Sequence, residues 1–107
     1  MIRYKVVISR EAFNDLVSIK NYIFEKSLEP IIAGNLIETL KRAAKSLSEL
    51  PYRHPLLEHP IKTLEETRVF HVKGYVIYYK IDEKEKIVTI LKIVNSHRDF
   101  EKLGNTN

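Results

Sequence analysis

The chain contains no cysteine. Disulfide frameworks and thiolate metal sites are therefore unavailable, and an intracellular protein is the simpler expectation. The three glycines stand far apart, at 34, 74 and 104. A phosphate-cradling loop and a dinucleotide fingerprint both need clustered glycines, so neither can be placed. Long hydrophobic runs are missing as well. The N-terminal MIRYKVVIS offers an apolar run of three residues, far short of a signal-peptide core, and no segment has the length needed to span a bilayer. The expectation is a cytoplasmic protein with no membrane partner. A nucleophilic triad would need a serine presented on a tight turn, and Ser9, Ser18 and Ser96 all lack that setting.

What is present suits one folded domain spanning residues 1–107. Apolar residues make up 44% and charged residues 30%, close to the average for a globular domain. Eighteen Lys and Arg against fourteen Asp and Glu leave a formal charge of +4 and a pI near 9.3. This modest excess favours an acidic partner without requiring one.

The hydrophobic pattern changes period along the chain. Arg3 to Ile8 reads as a strand, with Tyr4, Val6 and Ile8 on one side and Val7 making the other side apolar too, as for a strand covered on both faces. Ser9 is a good N-cap for a helix over about Arg10 to Lys26, along which Ala12, Leu16, Ile19 and Ile23 form one stripe. Glu29-Pro30 opens a second helix. Its stripe of Ala33, Leu36, Ile37, Leu40, Ala43, Ala44, Leu47 and Leu50 continues to Pro51. Gly34 inside it implies either a close helix contact or a local weakness. Residues 51–66, punctuated by Pro51, Pro55 and Pro60, form an irregular connection. Three strands follow, Thr67 to Val72, Tyr75 to Ile81 and Lys86 to Val94, joined by a turn at Lys73-Gly74 and a polar turn through Asp82 to Glu85. The last of them reads as a central strand covered on both faces, and the residues around Gly104 to Asn107 should fray. The class is α+β in the order β-α-α-β-β-β.

Three groups of residues could carry chemistry. His54 and His59 flank Glu58 in YRHPLLEHP. A metal site there would need a further ligand, and histidines in proline-rich loops are more often surface or capping groups. Tyr75, Tyr78 and Tyr79 could stack on bases. Aromatic residues in strands are more often packing groups, and that reading prevails for Tyr78. The third group is the abrupt polar end of the last strand, TILKIVNSHRDFEKLG, where Asn95, Ser96, His97, Arg98 and Asp99 follow an apolar run with no intervening Gly or Pro. Histidine serves as acid or base near neutrality and arginine holds a phosphate bidentately. The ordinary alternative is an Arg98-Asp99 surface ion pair with His97 facing water.

VVISREAFNDLVSIKNYI, LSELPYRHPLL, FHVKGYVIYYKID and ILKIVNSHRD, taken in order, resemble the RelE/ParE superfamily of type II toxin-antitoxin toxins over nearly the whole chain. The resemblance implies a helical hairpin packed on a curved antiparallel sheet, no cofactor and no metal. It also implies an acidic antitoxin, encoded beside the toxin in a plasmid-stabilisation type of module, that wraps the toxin into a hetero-oligomer. Two activities are implied by the two branches. ParE-like members inhibit growth by poisoning DNA gyrase. RelE-like members are mRNA interferases, metal-independent endoribonucleases that cut mRNA on the ribosome through 2′-hydroxyl attack. The RelE-like pattern places an arginine at the start of the third strand, where this chain has Tyr75, and a histidine or tyrosine where it has Asn95. FHVKGYVIYYKID is closer to ParE-like members, and the expectation follows that branch. If the nuclease alternative holds, His97, Arg98 and Arg68 would be the catalytic set. Lys73, Tyr75, Tyr79, Lys80 and Asn95 are the candidates for contacting the target or a nucleic acid. A third possibility is a diverged member that only binds antitoxin.

Overall fold

A computed structural model describes residues 2–27, 29–57 and 66–96. Strand β1 (Lys5–Ile8) leads into helix α1 (Arg10–Ser27), helix α2 (Pro30–Lys45), two short 3-10 turns (Ser46–Ser48 and Pro51–Arg53), and strands β2 (Arg68–Val72), β3 (Tyr75–Asp82) and β4 (Ile87–Asn95). The segment order matches the α+β reading. Ser9 caps α1 as its position suggests, its Oγ accepting the Ala12 N–H at 3.0 Å. The terminal residues expected to fray lie outside the described residues.

The sheet is four-stranded in the order β1-β4-β3-β2. β2, β3 and β4 form the expected antiparallel meander, whereas β1 pairs parallel with β4, so the wholly antiparallel sheet is corrected to a mixed one. The route of the helices explains it. α1 continues in the direction of β1, since Ser9 meets β4 at Ile90 and Leu91 while Asp15 meets it further along at Ile93. α2 returns to the starting end, where the Ser48 carbonyl accepts the Tyr4 N–H at 2.8 Å. β2 therefore sets out in the direction of β1, and β4, two reversals later, must run that way too.

One face of the sheet carries the helices. Ile77, Tyr79, Val88, Ile90 and Ile93 meet Ala12, Leu16, Ile37, Leu40, Ala44 and Leu47 in a single core. Among the described residues no helix covers the opposite face, on which Val7 is 36% exposed. Among the described residues, the strands read as covered on both faces are thus covered by helices on one. On that face Val7 stands in the row of Thr89 and Val94 in the row of Val76, where an apolar side chain packs against its cross-strand neighbour.

α2 is shorter than its stripe suggests. It ends at Lys45 and tightens into a 3-10 turn, Leu47 remains in the core, and Leu50 adopts the left-handed region at φ 49 with 67% of its surface exposed. Glu49 is already extended and Leu50 left-handed, so the backbone has left the helix before Pro51, whose ring in turn disfavours a return to right-handed helical angles at Leu50. The apolar stripe records which residues are buried, not which hydrogen bonds the backbone makes. Gly34 has open space where a Cβ would stand, with no atom within 4 Å, so it marks no close helix contact.

β1 is too short to cover β4 along its length, and α1 completes the edge with side chains. At the shift in register between Tyr78 and Tyr79, Leu91 is the extra residue on β4. The Leu91 carbonyl accepts from Ser9 Oγ at 3.2 Å, and the Ile93 N–H donates to Asp15 Oδ2 at 2.8 Å. Lys92 lies beside Glu11 and Asp15 at 3.5 and 3.9 Å.

Candidate functional site

The polar end of β4 is built against the β2-β3 turn. Lys73 and Gly74 both have positive φ, 49 and 80, as a two-residue hairpin turn of the primed type requires. The Gly74 carbonyl accepts from the Ser96 N–H at 2.9 Å and from Ser96 Oγ at 2.8 Å. This double hold fixes where the chain leaves β4 just before the histidine-arginine pair. His97 and Arg98 lie outside the described residues, as do Asp99, Glu58 and His59. Tyr75 and Asn95 are cross-strand partners in the same row, with Tyr75 buried and Asn95 half-buried. Lys73 is exposed on the turn above them. These three expected contact residues are brought together at one end of the sheet.

Arg68 and Tyr79 occupy another row. They face each other across β2 and β3, four residues along β3 from Tyr75, which corresponds to roughly 13 Å of strand. Tyr79 is fully buried, and its hydroxyl donates to the Pro51 carbonyl at 2.6 Å. Burial raises its pKa against the opposing influence of Arg68 and Arg53. A ring in that position has no face open to a base or a protein target, so the expectation of Tyr79 as a contact residue is corrected. It is a core residue that ties the sheet to the segment after α2. The burial of Tyr75 likewise leaves little of its ring to offer. Lys80, half-buried next to Tyr79 on the opposite face, lies in the row of Thr89.

Arg68 is engaged within the fold. Its Nη1 donates to the His54 carbonyl at 2.7 Å, and its guanidinium lies over the Tyr52 ring at 4.9 Å. Tyr52 in turn meets Tyr4 edge-on, and both hydroxyls donate to Glu83 Oε1 on the β3-β4 turn. Arg53 donates to the Glu49 and Leu50 carbonyls and to Ser46 Oγ, so it caps the 3-10 end of α2. His54 stacks on Phe70 with ring centroids 3.9 Å apart and 18° between planes, and presents an edge to Tyr79. Its Nε2 is buried and has no hydrogen-bond partner among the described residues. Burial, assisted by the nearby Arg53 charge, lowers its pKa from the ordinary 6.5. The imidazole that stood as a possible metal ligand is thus a packing group. Among the described residues no three His, Asp or Glu side chains are close enough to hold a metal ion.

This clasp of Tyr52, Arg53, His54, Arg68, Phe70 and Tyr79 went unread in the sequence, where residues 51–66 looked like a plain connection. The one available signal was the density of aromatic and cationic residues in PYRH and RVFH. Pairing them requires the fold.

A family model described as the ParE toxin of the type II toxin-antitoxin system parDE matches residues 6–100. The chain belongs to the ParE toxin family. No curated protein sequence matches it. Among solved structures, this ParE-family chain is similar to the chromosomal ParDE toxin-antitoxin system from P. aeruginosa. The TM-score there is 0.71 at 14% identity, covering 89% of this chain and 98% of that one. It is also similar to the toxin-antitoxin complex RelBE2 from Mycobacterium tuberculosis, with TM-score 0.56 at 23% identity, covering 88% and 99%. The archaeal RelE-RelB complex from Pyrococcus horikoshii gives 0.53 at 18% identity, covering 92% and 99%. At these identities the structures establish a shared RelE/ParE-like fold for the ParE-family chain.

Proposed function

We propose that this ParE-family toxin arrests growth by poisoning DNA gyrase and is neutralised by a cognate acidic antitoxin with which it forms a hetero-oligomer. The family match over residues 6–100 carries the reading. The similar structures from P. aeruginosa, M. tuberculosis and P. horikoshii are toxin-antitoxin systems or complexes, which supports an antitoxin partner here. Two structural observations favour a protein-binding inhibitor over an mRNA endoribonuclease. Arg68 is held by the His54 carbonyl and the Tyr52 ring, and it stands in the Tyr79 row rather than the Tyr75-Asn95 row from which the tail departs. Tyr75 is turned into the core at the place where a phosphate-holding arginine would be needed.

The purified chain, added to gyrase with relaxed plasmid and ATP, should inhibit supercoiling, and its cognate antitoxin should relieve the inhibition. A translation extract supplied with the same protein should yield uncut mRNA. Ribosome-dependent cuts in mRNA with gyrase activity intact would overturn the proposal in favour of the nuclease. Normal growth during soluble accumulation would point to a diverged member that only binds antitoxin.

A further inference from the structure

Helix α1 carries a second apolar stripe, which is exposed. Ala12 and Leu16 are buried and Ile19 and Ile23 half-buried on the core side. Phe13, Val17 and Phe24 recur on an adjacent side with exposures of 55, 42 and 44%. At about 100° per residue, these three lie within roughly 40° of one another. With Lys20 between them, positions 13, 17, 20 and 24 have the alternating four-and-three spacing of a coiled-coil seam.

We propose that this seam is a self-association surface on which α1 of one protomer packs antiparallel against α1 of a second copy. A two-fold axis between Val17 and Lys20 sets Phe13 of each protomer against Phe24 of the other, closing both ends of the seam with aromatic pairs. Val17 then meets the methylene stem of Lys20, whose ammonium can reach water. Arg10, Asn14, Asn21 and Glu25, all exposed, line the flank of the seam turned away from the core. The same axis brings Arg10 to within two residues, about 3 Å along the helix, of the level of Glu25, and Asn14 likewise of Asn21, each pair occurring twice. A parallel pairing would instead set Arg10 on Arg10, Lys20 on Lys20 and Glu25 on Glu25, so the charges select the antiparallel arrangement. Neither Arg10 nor Glu25 is used in an ion pair among the described residues. The seam and its flank carry both signs of charge, which suits a copy of itself better than a uniformly acidic partner. A seam only about 16 Å long is smaller than a standard stable interface, so the dimer is weak, with a dissociation constant on the order of 10 µM.

The proposal is independent of the gyrase reading, and sedimentation velocity of the purified full chain from about 1 to about 200 µM tests it. A concentration-dependent monomer-dimer equilibrium is expected, with Phe13→Ala raising the dissociation constant about tenfold. Arg10→Glu and Glu25→Arg should each weaken the dimer roughly fivefold, and the two together should restore it. Circular dichroism of each variant confirms that α1 is intact. A chain that stays monomeric throughout, or a dimer indifferent to the charge reversals, overturns the proposal. Reversals that do not compensate when combined overturn it as well. It falls equally if the free chain is monomeric and Phe13→Ala weakens only antitoxin binding.

Discussion

His54 shows how a single residue changes meaning once its neighbours are known. Between two prolines and near a second histidine it suggested metal or surface chemistry. In the structure it is a flat spacer between Phe70 and Tyr79, with a buried nitrogen that finds no partner among the described residues. Its lowered pKa means that the folded chain takes up fewer protons than the unfolded chain between the depressed value and the ordinary 6.5. The stabilisation from neutral His54 is complete above that ordinary value and is lost as pH falls through the window. His54→Phe keeps the stack and removes the titration. The variant should therefore show a shallower fall of Tm from about pH 7 to about pH 5 than the parent chain. Parallel Tm profiles would show that another group carries the acid sensitivity. Arg68 teaches the same lesson for a cation: a residue that looked available for a phosphate is committed to a backbone carbonyl and an aromatic ring.

At the scale of elements, the helices and the meander were legible because each follows its own period and is bounded by residues with a clear steric role. Ser9 as cap, Pro30 at the start of α2 and Lys73-Gly74 at the hairpin all act locally, and all stand where the pattern put them. The exit from α2 was misjudged because Leu47 prolongs the buried stripe beyond the last α-helical residue, through a 3-10 turn and an extended Glu49 that the apolar pattern does not mark. Gly34 is the opposite case. Its backbone is helical and its surroundings are open, so Gly34→Ala should stabilise the domain by about 0.5–1 kcal/mol, chiefly by restricting the unfolded chain. Urea unfolding would reveal it as a higher midpoint at unchanged m-value. A lower midpoint would mean that the position needs the freedom of glycine after all.

For the molecule as a whole, the net charge of +4 makes an argument about encounter rather than fold. Association with an acidic antitoxin should be steered electrostatically. Its rate constant should then fall at least about tenfold between roughly 50 and 500 mM salt, with the dissociation rate much less affected. Stopped-flow mixing with the cognate antitoxin measures both. An association rate indifferent to salt would assign recognition to apolar contacts alone.

The amino-acid order was enough to establish the α+β class, its succession of elements and the family to which it belongs. Each of these is written in local periodicity, caps and turns, or in their spacing along the chain. Tertiary structure decided the parallel seat of β1, because a strand's partner depends on where the helical hairpin delivers the chain, and no local pattern encodes that. It also sorted the candidate residues. Lys73, Tyr75 and Asn95 gather at one end of the sheet, while Arg68 and Tyr79 are drawn into a clasp with His54 and Pro51. A side chain's chemistry is a property of the residue, but whether that chemistry is free to meet a partner depends on which distant segments fold against it.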